Sequence, residues 1–293
     1  MAEKLAAAAV ILNHNDDENT RRLLKTFDEY KVVGRVIVVD NTGKGGLEGA
    51  CSPKLSLLCT ANNGYASGNN AGIELLEKTG GAQFIIISNP DVFVDEDAIT
   101  ACVEFLRQHE DYAIAAPRMF SADGKPHHLS AWRERTFLCD FAYSSGILSR
   151  IVGMRRECYP DSYWTTEFSE VDCVAGSFFI IRADMFRQAG YFDQHTFLYY
   201  EEDILGFKLK RLGYKSAILN SCHFLHCEGA SVNRSMNFLR KYIIMQKSRL
   251  YFHRCYKKTG FLRYSALCAA TALGVVEKSV KTMIYRFCKP KSH

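Results

Sequence analysis

The sequence of 293 residues lacks the glycine-rich motifs that identify two large classes of nucleotide-binding protein. No GxGxxG motif follows the first apolar segment, and neither GxxxxGKS nor GxxxxGKT occurs. Their absence excludes the usual dinucleotide-binding fingerprint and the P-loop. Internal repeats and low-complexity segments are also absent. We expect no signal peptide, because Lys4 and a short alanine-rich run pass directly into strand-like sequence.

The 11 cysteines are odd in number and irregular in spacing. This pattern does not suit a disulfide framework, so we expect a reducing compartment and a cytoplasmic protein. Residues 222–227 contain two cysteines and two histidines. Structural zinc is disfavoured because no second ligand cluster accompanies them. His226 alone is the better candidate, as one ligand of a catalytic cation.

Basic residues are concentrated at one end of the chain. Residues 230–293 contain 14 Lys or Arg and one acid, Glu277, whereas the remainder contains 23 basic and 31 acidic residues. Because 47% of the residues are hydrophobic, the chain can bury a sizeable core. The change of charge predicts a main domain over residues 1–230 and a basic extension over residues 231–293.

Strand-like segments alternate with segments of helical spacing. The predicted strands cover residues 7–12, 36–39, 55–59, 84–87 and 171–182. The predicted helices cover residues 19–30, 69–78, 95–109, 183–189 and 205–212. Residues 117–170 have no sustained periodicity and are predicted to form loops and short elements. The alternation predicts an α/β fold with a doubly wound, mostly parallel sheet.

Polar residues follow the predicted strands at their carboxyl ends. They are Asn13, Asp40, Asn41, Asn62, Asn63 and Asp91. In open α/β sheets this edge binds ligands, and such side chains can bind a nucleoside or hold a divalent cation against a diphosphate. The alternative for any single residue is that it only closes a turn. The repetition at four strands favours a site.

Two further segments could carry chemistry. Glycines at 64, 68 and 72 would let the backbone approach a ligand closely before a helix, although Gly68 and Asn69 could simply cap that helix. Residues 201–203 are three consecutive acids that precede another predicted helix. A helix dipole alone would stabilise acids there, whereas a carboxylate cluster could also take a proton from a hydroxyl. The residues alone leave both interpretations open.

These segments, in this order, resemble the family-two glycosyltransferases of the GT-A fold, especially the bacterial branch that builds cell-surface polysaccharides and includes rhamnosyltransferases. The resemblance covers residues 5–231. It rests on VILN at 10–13, VVDN at 38–41, NGYASGNN at 63–70, NPDV at 89–92, GYFD at 190–193, FLYYEED at 197–203, His226, Gly229 and Ser231. Each segment is weak evidence, but the ordered set is specific.

The resemblance implies a donor site and a metal site. Asp40 would contact the nucleoside of a nucleotide sugar. The implied neighbours are Asn13, Asn41, Asn63, Gly64, Gly68, Asn69 and Asn89. Asn89 and Asp91 occupy the family's Asp-x-Asp position, so Asp91 would hold Mg²⁺ or Mn²⁺ on the donor diphosphate, with His226 as second ligand. Because Asn89 replaces the first acid, the cation would bind less tightly.

The resemblance also implies an inverting hexosyltransferase that transfers a sugar to a hydroxyl of a polysaccharide or lipid-linked glycan. The family's base is the second acid of a Glu-Asp pair, which aligns with Glu201 and Glu202, with Asp203 next. Glu202 is therefore the favoured base and Asp203 the alternative. The competing classes are a sugar-phosphate nucleotidyltransferase and a non-catalytic glycan-binding relative. The former should carry a basic, glycine-rich segment after the first strand, where residues 13–18 are acidic.

The basic extension alternates aromatic and aliphatic residues with Arg and Lys over residues 237–263. The apolar run at residues 265–276 is too short to span a bilayer. This composition fits a protein that lies on an anionic membrane surface, which would put it on the cytoplasmic face of the membrane. Packing onto the main domain or a homo-oligomer interface is the equally weighted alternative. Nucleic acid is disfavoured because no nucleic-acid-binding module accompanies the charge.

Overall fold

A computed structural model describes residues 5–45, 47, 49–152, 157–227 and 238–288 of the chain. These residues form two compact units. The sheet unit comprises the described residues within 1–134, 158–197 and 201–234. The helical unit comprises those within 135–157, 198–200 and 235–293. Gly229, Ser231 and the predicted domain boundary lie outside the described residues, so the division at residue 230 stays a prediction.

The sheet unit is organised by nine strands joined in one sheet, counting described residues only. Its strands are β1 (Leu5–Asn13), β2 (Val33–Asp40), β3 (Leu55–Cys59), β4 (Ala82–Ser88), β5 (Val92–Val94), β6 (Tyr112–Ser121), β8 (Phe168–Val171), β10 (Phe178–Arg182) and β11 (Lys215–His226). Two short strands, β7 (Ala131–Trp132) and β9 (Cys173–Val174), pair separately. The order is β3-β2-β1-β4-β10-β6-β11-β5, and β8 also pairs with β11.

The strands β3, β2, β1 and β4 run parallel to one another, as β6 does to β11, whereas β10 is antiparallel to both β4 and β6. The sheet unit's helices are α1 (Asp17–Glu29), α2 (Tyr65–Lys78), α3 (Glu96–Gln108), α6 (Ala183–Gln188) and α7 (Glu201–Arg211). One apolar cluster joins the sheet to α1 and α3, and a second joins its other face to α2, α6 and α7. Helices on both faces of a mostly parallel sheet confirm the predicted doubly wound α/β fold.

The predicted elements differ from the structure at several points. Helix α2 begins at Tyr65 rather than 69, so Gly68 and Asn69 lie inside it, and α7 begins at Glu201 rather than 205, so residues 201–203 lie in its first turn. The span 171–182, predicted as one strand, contains the last residue of β8 and all of β9 and β10. Strand β6 was not predicted, because its buried alanines and a proline gave no alternation of polar and apolar residues.

The helical unit contains α4 (Phe137–Tyr143), α5 (Gly146–Val152), α8 (Phe238–Cys255) and α9 (Phe261–Cys288). Its interior holds a carboxylate, Asp140, that accepts hydrogen bonds from Tyr200 and His253 at 2.7 and 2.9 Å. Arg249, 2% exposed, donates at 2.8 Å to the Tyr200 hydroxyl. None of the described helices is long and apolar enough to cross a membrane.

Candidate active site

The carboxyl ends of β1 and β2 lie side by side, with Asn13 paired to Asp40 in the parallel register. Asp40 is fully buried, and its Oδ1 accepts hydrogen bonds from the Thr42 backbone N–H at 3.1 Å and hydroxyl at 2.7 Å. Its Oδ2 is buried and has no hydrogen-bond partner in the described part of the chain. A buried oxygen of this kind can accept a proton-bearing group of a ligand.

The Asn13 side chain is engaged at the start of α1. Its Nδ2 donates to Asp17 at 2.7 Å, and its Oδ1 accepts from the Asp16 N–H at 3.1 Å and the Thr20 hydroxyl at 3.0 Å. The amide therefore holds the loop after β1. The structure brings Asn13 beside Asp40, but it uses the Asn13 side chain to fix the strand-to-helix turn.

The Asn41 side chain links the loops that follow β2 and β3. Its Nδ2 donates at 3.3 Å to both Asn62 Oδ1 and the Gly64 carbonyl, and its Oδ1 accepts from Thr60 at 3.2 Å. Asn63 is exposed. Asn41 is 3% exposed, so it acts as a bridge that shapes the turn before α2.

Of the three glycines at four-residue spacing, Gly68 and Gly72 lie in α2 and Gly64 directly precedes it. A Cβ on Gly72 would lie 2.7 Å from Val10 Cγ1 and 2.8 Å from Val39 Cγ2, and one on Gly68 would overlap Leu12. Gly64 has φ +97°, and a Cβ there would overlap the Phe197 carbonyl. Close packing of α2 on β1 and β2 thus accounts for Gly68 and Gly72, while the approach of backbone to ligand stays a prediction.

Asn69 and Asn70 in α2 have different surroundings. Asn69 is fully buried, donates to the Tyr65 carbonyl at 3.0 Å, and keeps its Oδ1 without a partner among the described residues. Asn70 exchanges two hydrogen bonds with the Phe192 backbone, at 2.9 and 3.2 Å. Asn70 therefore holds the GYFD turn against α2, which explains why these distant segments occur together.

The predicted metal ligands Asp91 and His226 are adjacent. The Asp91 Oδ1 lies 3.3 Å from His226 Nε2, and the side chains are 10% and 15% exposed. The pairing of β5 with β11 brings them together, because it sets His226 opposite Val92. The Cys227 N–H also donates to the Asp91 carbonyl at 3.0 Å. The other half of the motif, Asn89, is half-buried and its N–H donates to the Ser177 carbonyl at 2.8 Å.

One carboxylate and one imidazole suit a divalent cation whose remaining ligands come from phosphate and water. The described residues contain no cluster of three or more His, Cys, Asp or Glu that could hold a metal alone. His226 Nδ1 is buried without a partner in the same part of the chain. The pair therefore fits a cation that needs a ligand's oxygens to complete its coordination.

Arg22 braces the loop that carries Asp91. Its guanidinium donates to the carbonyls of Pro90 and Val92 at 2.9 and 2.8 Å and lies 3.3 Å from the centroid of the Phe93 ring. Burial lowers the pKa of Arg22, although nearby Asp91 and Asp16 oppose this effect. Arg22 was not predicted from the sequence, because it is one of several charged residues on the amphipathic α1.

Glu202 lies at the loop that precedes β10. Its Oε1 accepts a 3.2 Å hydrogen bond from the Gly176 N–H, and the Tyr65 hydroxyl donates to the Gly176 carbonyl at 2.6 Å. A Cβ on Gly176 would lie 2.5 Å from Glu202 Oε1. Because the next residue, Ser177, binds Asn89, this loop joins the acid cluster to the strand end that precedes Asp91. The sequence analysis missed Tyr65 and Gly176.

The two flanking acids are more buried than Glu202. Glu201 is 2% exposed, and burial, reinforced by the charge of Glu202, raises its pKa well above the usual value. Asp203 is 3% exposed and accepts a 3.0 Å hydrogen bond from Trp132 Nε1. The half-buried Glu202 is therefore the most accessible of the three carboxylates.

No protein-family model matches the sequence. The chain is 26% identical over 204 residues to the low-salt glycan biosynthesis hexosyltransferase Agl10 of Haloferax volcanii, covering 69% of this chain and 61% of that protein. It is 25% identical over 222 residues to the rhamnosyltransferase WbbL of Escherichia coli, covering 74% and 81%. An N-acetylglucosaminyl-diphospho-decaprenol L-rhamnosyltransferase of Mycobacterium tuberculosis is 27% identical over 219 residues, with 68% of each covered. The first of these matches thus spans less than two thirds of the relative.

Two solved structures share the fold. GalNAc-T7 with UDP, GalNAc and Mn²⁺ has a TM-score of 0.58 at 13% identity, covering 92% of this chain and 54% of that one. The mannosyltransferase PcManGT of Pyrobaculum calidifontis with GDP-Man and Mn²⁺ has a TM-score of 0.56 at 12% identity, covering 99% and 82%.

The fold is therefore that of the GT-A glycosyltransferases, as the sequence predicted. Within that class the chain resembles family-two rhamnosyltransferases, as the ordered motifs predicted.

Proposed function

We propose that the protein is an inverting, metal-dependent glycosyltransferase that moves a sugar from a nucleotide-diphosphate donor to a hydroxyl of a polysaccharide or lipid-linked glycan. The observation that carries the proposal is the Asp91 and His226 pair, 3.3 Å apart, because Asp91 follows β4, whose carboxyl end lies at the same edge of the sheet as that of β2. At that edge, a cation ligand pair and a buried carboxylate oxygen without a partner among the described residues suit a ligand with both a diphosphate and a hydrogen-bond donor.

Asp40 would bind the nucleoside. Its Oδ2 is buried and unpartnered among the described residues, and such an oxygen costs about 1–3 kcal/mol while it stays unpaired. An N–H of a nucleobase or a ribose hydroxyl would supply the missing hydrogen bond. Donor binding would thus remove the free-energy cost of the unpaired Asp40 oxygen.

Asp91 and His226 would hold Mg²⁺ or Mn²⁺, with Asn89 at the neutral position of the motif. The cation would neutralise charge on the oxygens of the leaving diphosphate. Asp91 supplies the only anionic ligand of the pair, so its removal should weaken metal binding more than the removal of His226. Both structural neighbours named above carry Mn²⁺, which supports the choice of a divalent cation.

Glu202 would act as the general base. The Gly176 N–H and the Tyr65 hydroxyl fix the loop around it, so the carboxylate is held while remaining accessible. It would accept the proton of the acceptor hydroxyl as that oxygen forms a bond to the anomeric carbon and the bond to the nucleotide diphosphate breaks. Attack opposite to the leaving group inverts the anomeric configuration.

The acceptor would be a polysaccharide or a lipid-linked glycan at the cytoplasmic face of the membrane. One relative is named for a diphospho-decaprenol acceptor, and residues 230–293 carry 14 basic residues against one acid. We expect the full-length protein to sediment with vesicles of anionic lipid and to be released by salt, because screening weakens surface charge attraction. Equal binding to neutral vesicles would contradict this part of the proposal.

A panel of nucleotide sugars, assayed for Mn²⁺-dependent hydrolysis and for transfer, tests the function. Asp91→Ala should abolish both activities, whereas Asp97→Ala, an exposed acid in the first turn of α3, should leave them unchanged. Full activity of Asp91→Ala would refute the metal assignment. Donor binding without any turnover would instead favour the non-catalytic relative.

A further inference from the structure

The helical unit contains a cavity of about 380 Å³ that the sugar-transfer chemistry does not use. Its lining combines aromatic rings, a methionine and two lysines. Its lining residues include Ser149, Phe238, Lys241, Tyr242, Met245 and Lys278. The volume falls within the range of small-molecule sites, about 300–1,000 Å³.

Hydrogen bonds and close packing fix the walls of the cavity. The Tyr242 hydroxyl donates to the Ser144 carbonyl, and a Cβ on Gly274 would overlap both of these groups. Glu277 of α9 accepts hydrogen bonds from the Ser145 hydroxyl at 2.6 Å and the Gly146 N–H at 2.7 Å. Helices α8 and α9 are thereby locked to the segment between α4 and α5. The cavity is part of the folded unit, and no rearrangement is needed to form it.

The cavity is cationic. Lys241 and Lys278 line it, and the Lys278 ammonium lies 5.1 Å from the centroid of the Phe238 ring and 5.7 Å from that of Tyr242. Glu277, the residue before Lys278 in α9, interacts with the charge of Lys278 and also accepts the hydrogen bonds already described. Two ammonium groups beside one cavity favour an anionic ligand.

Apolar surface continues outward from the cavity. Phe238 is 61% exposed although it lines the cavity, and no residue of α5 is buried. Ile147 and Ile151 of α5 are 48% and 75% exposed. Exposed apolar side chains beside a cationic cavity suit a ligand with an anionic head and an apolar chain.

We propose that this cavity binds a phosphorylated lipid, with its phosphate or diphosphate at Lys241 and Lys278 and the start of its chain against Phe238 and Met245. The binding itself is independent of sugar transfer. The identification of the bound lipid with the lipid carrier of an acceptor rests on the proposed function. If that identification holds, the acceptor is a lipid-linked glycan and not a free polysaccharide.

Calorimetric titration of the full-length protein tests the site, with chelator present so that no cation supports diphosphate binding elsewhere. The probes are farnesyl diphosphate, inorganic diphosphate and farnesol. We expect farnesyl diphosphate to bind about tenfold or more tightly than inorganic diphosphate, because its chain buries apolar surface. Farnesol should bind more weakly than farnesyl diphosphate, since it lacks the charge.

The variants separate this cavity from general attraction to basic residues. Lys241→Met with Lys278→Met should weaken farnesyl diphosphate binding about tenfold or more. The matched control, Lys247→Met with Lys281→Met, removes two exposed lysines from the same helices. It should change the affinity for farnesyl diphosphate by about twofold or less. Ser149→Phe, which fills the cavity without changing charge, should also weaken binding. Thermal melts identify any variant that fails to fold.

Equal affinity for farnesyl diphosphate and inorganic diphosphate would overturn the lipid site. The location of the lipid site in this cavity would be overturned if the two double lysine variants lost equal affinity for farnesyl diphosphate. Unaltered farnesyl diphosphate binding by folded Ser149→Phe would overturn it too. Nucleotide-sugar binding is measured on the same protein preparations, with Mn²⁺ in place of the chelator. Lost donor binding with retained lipid binding would refute the proposed function alone, whereas the reverse result would refute only the lipid site.

Discussion

The indole Nε1 of Trp132 donates a 3.0 Å hydrogen bond to Oδ1 of Asp203. It ties the last of the three acids to the short strand β7, 71 residues earlier in the chain. A carboxylate that is 3% exposed and bound to an indole is suited to positioning the start of α7. Glu202, which is half-buried, is better suited to meet an acceptor hydroxyl.

Glu202→Gln should lower kcat by about 10²–10⁴-fold, the usual contribution of a general base, while donor affinity stays near that of the wild type. The amide keeps the shape and an acceptor for the Gly176 N–H but cannot take a proton. Steady-state transfer kinetics and donor titration measure the two effects separately.

Asp203→Asn is the comparison for that experiment. It should retain more activity than Glu202→Gln and should lose stability, because the hydrogen bond from Trp132 loses its charged acceptor. A larger fall in kcat for Asp203→Asn than for Glu202→Gln would transfer the role of base to Asp203.

Glu201→Gln should leave transfer nearly unchanged at neutral pH. Burial and the charge of Glu202 raise the pKa of Glu201 well above its usual value, so its neutral form resembles glutamine. A raised pKa in the folded state means that stability is lost as pH rises from the unfolded value through the folded one. The variant should therefore gain stability over the wild type as pH rises, as measured by denaturant unfolding. A constant difference across pH would contradict the assignment.

Removal of divalent cations should abolish transfer, and Mn²⁺ or Mg²⁺ should restore it. Because Asp91 and His226 form a two-residue site, cation affinity should be weak without nucleotide and rise when the donor diphosphate is present. Mn²⁺ titrations with and without nucleoside diphosphate measure this coupling. His226→Gln should raise the Mn²⁺ concentration needed for half activity, and an unchanged requirement would exclude His226 as a ligand.

The alternation of strands and helices was sufficient to predict the layered sheet, because parallel strands buried on both faces leave long apolar runs such as Val36 to Val39. The metal pair was predicted from motif order, although only the pairing of β5 with β11 brings Asp91 to His226. The glycines of α2 were assigned to ligand approach because sequence spacing does not distinguish a ligand from a neighbouring strand. The close approach of Gly68 to Leu12 and of Gly72 to Val10 and Val39 gives a packing reason for two of them, and their predicted role at a ligand stays untested.

The helical unit was largely beyond sequence reasoning. Its buried charges pair residues more than 100 positions apart, as Asp140 does with His253, and residues 117–170 carry no periodicity that would indicate a partner. The left-handed backbone of Tyr199 and Tyr200, with φ of 71° and 72°, is equally invisible, because only tertiary contacts hold a non-glycine residue there.

Gly72→Ala should destabilise the protein by about 1–3 kcal/mol, because the added methyl group would force α2 away from β1 and β2. Denaturant unfolding measures the change. Gly260→Ala is the control, since a Cβ there meets no atom within 4 Å. Equal stability of the two variants would show that α2 can shift without cost.

Asp140→Asn should destabilise the protein by about 3–5 kcal/mol at neutral pH, because it leaves the buried Arg249 without its counter-charge. Burial alone would raise the pKa of Asp140, but the hydrogen bond from His253 and the charges of Arg249 and Arg135 outweigh it and hold the pKa below its usual value. A lowered folded pKa gives stability that is present above the unfolded pKa and is lost as pH falls through the folded one. The gap between wild type and Asp140→Asn should therefore narrow in acid, as measured by denaturant unfolding between neutral pH and pH values below the usual range of aspartate. A gap that stays constant over that range would mean that the Asp140 carboxylate contributes shape and hydrogen bonding but no charge.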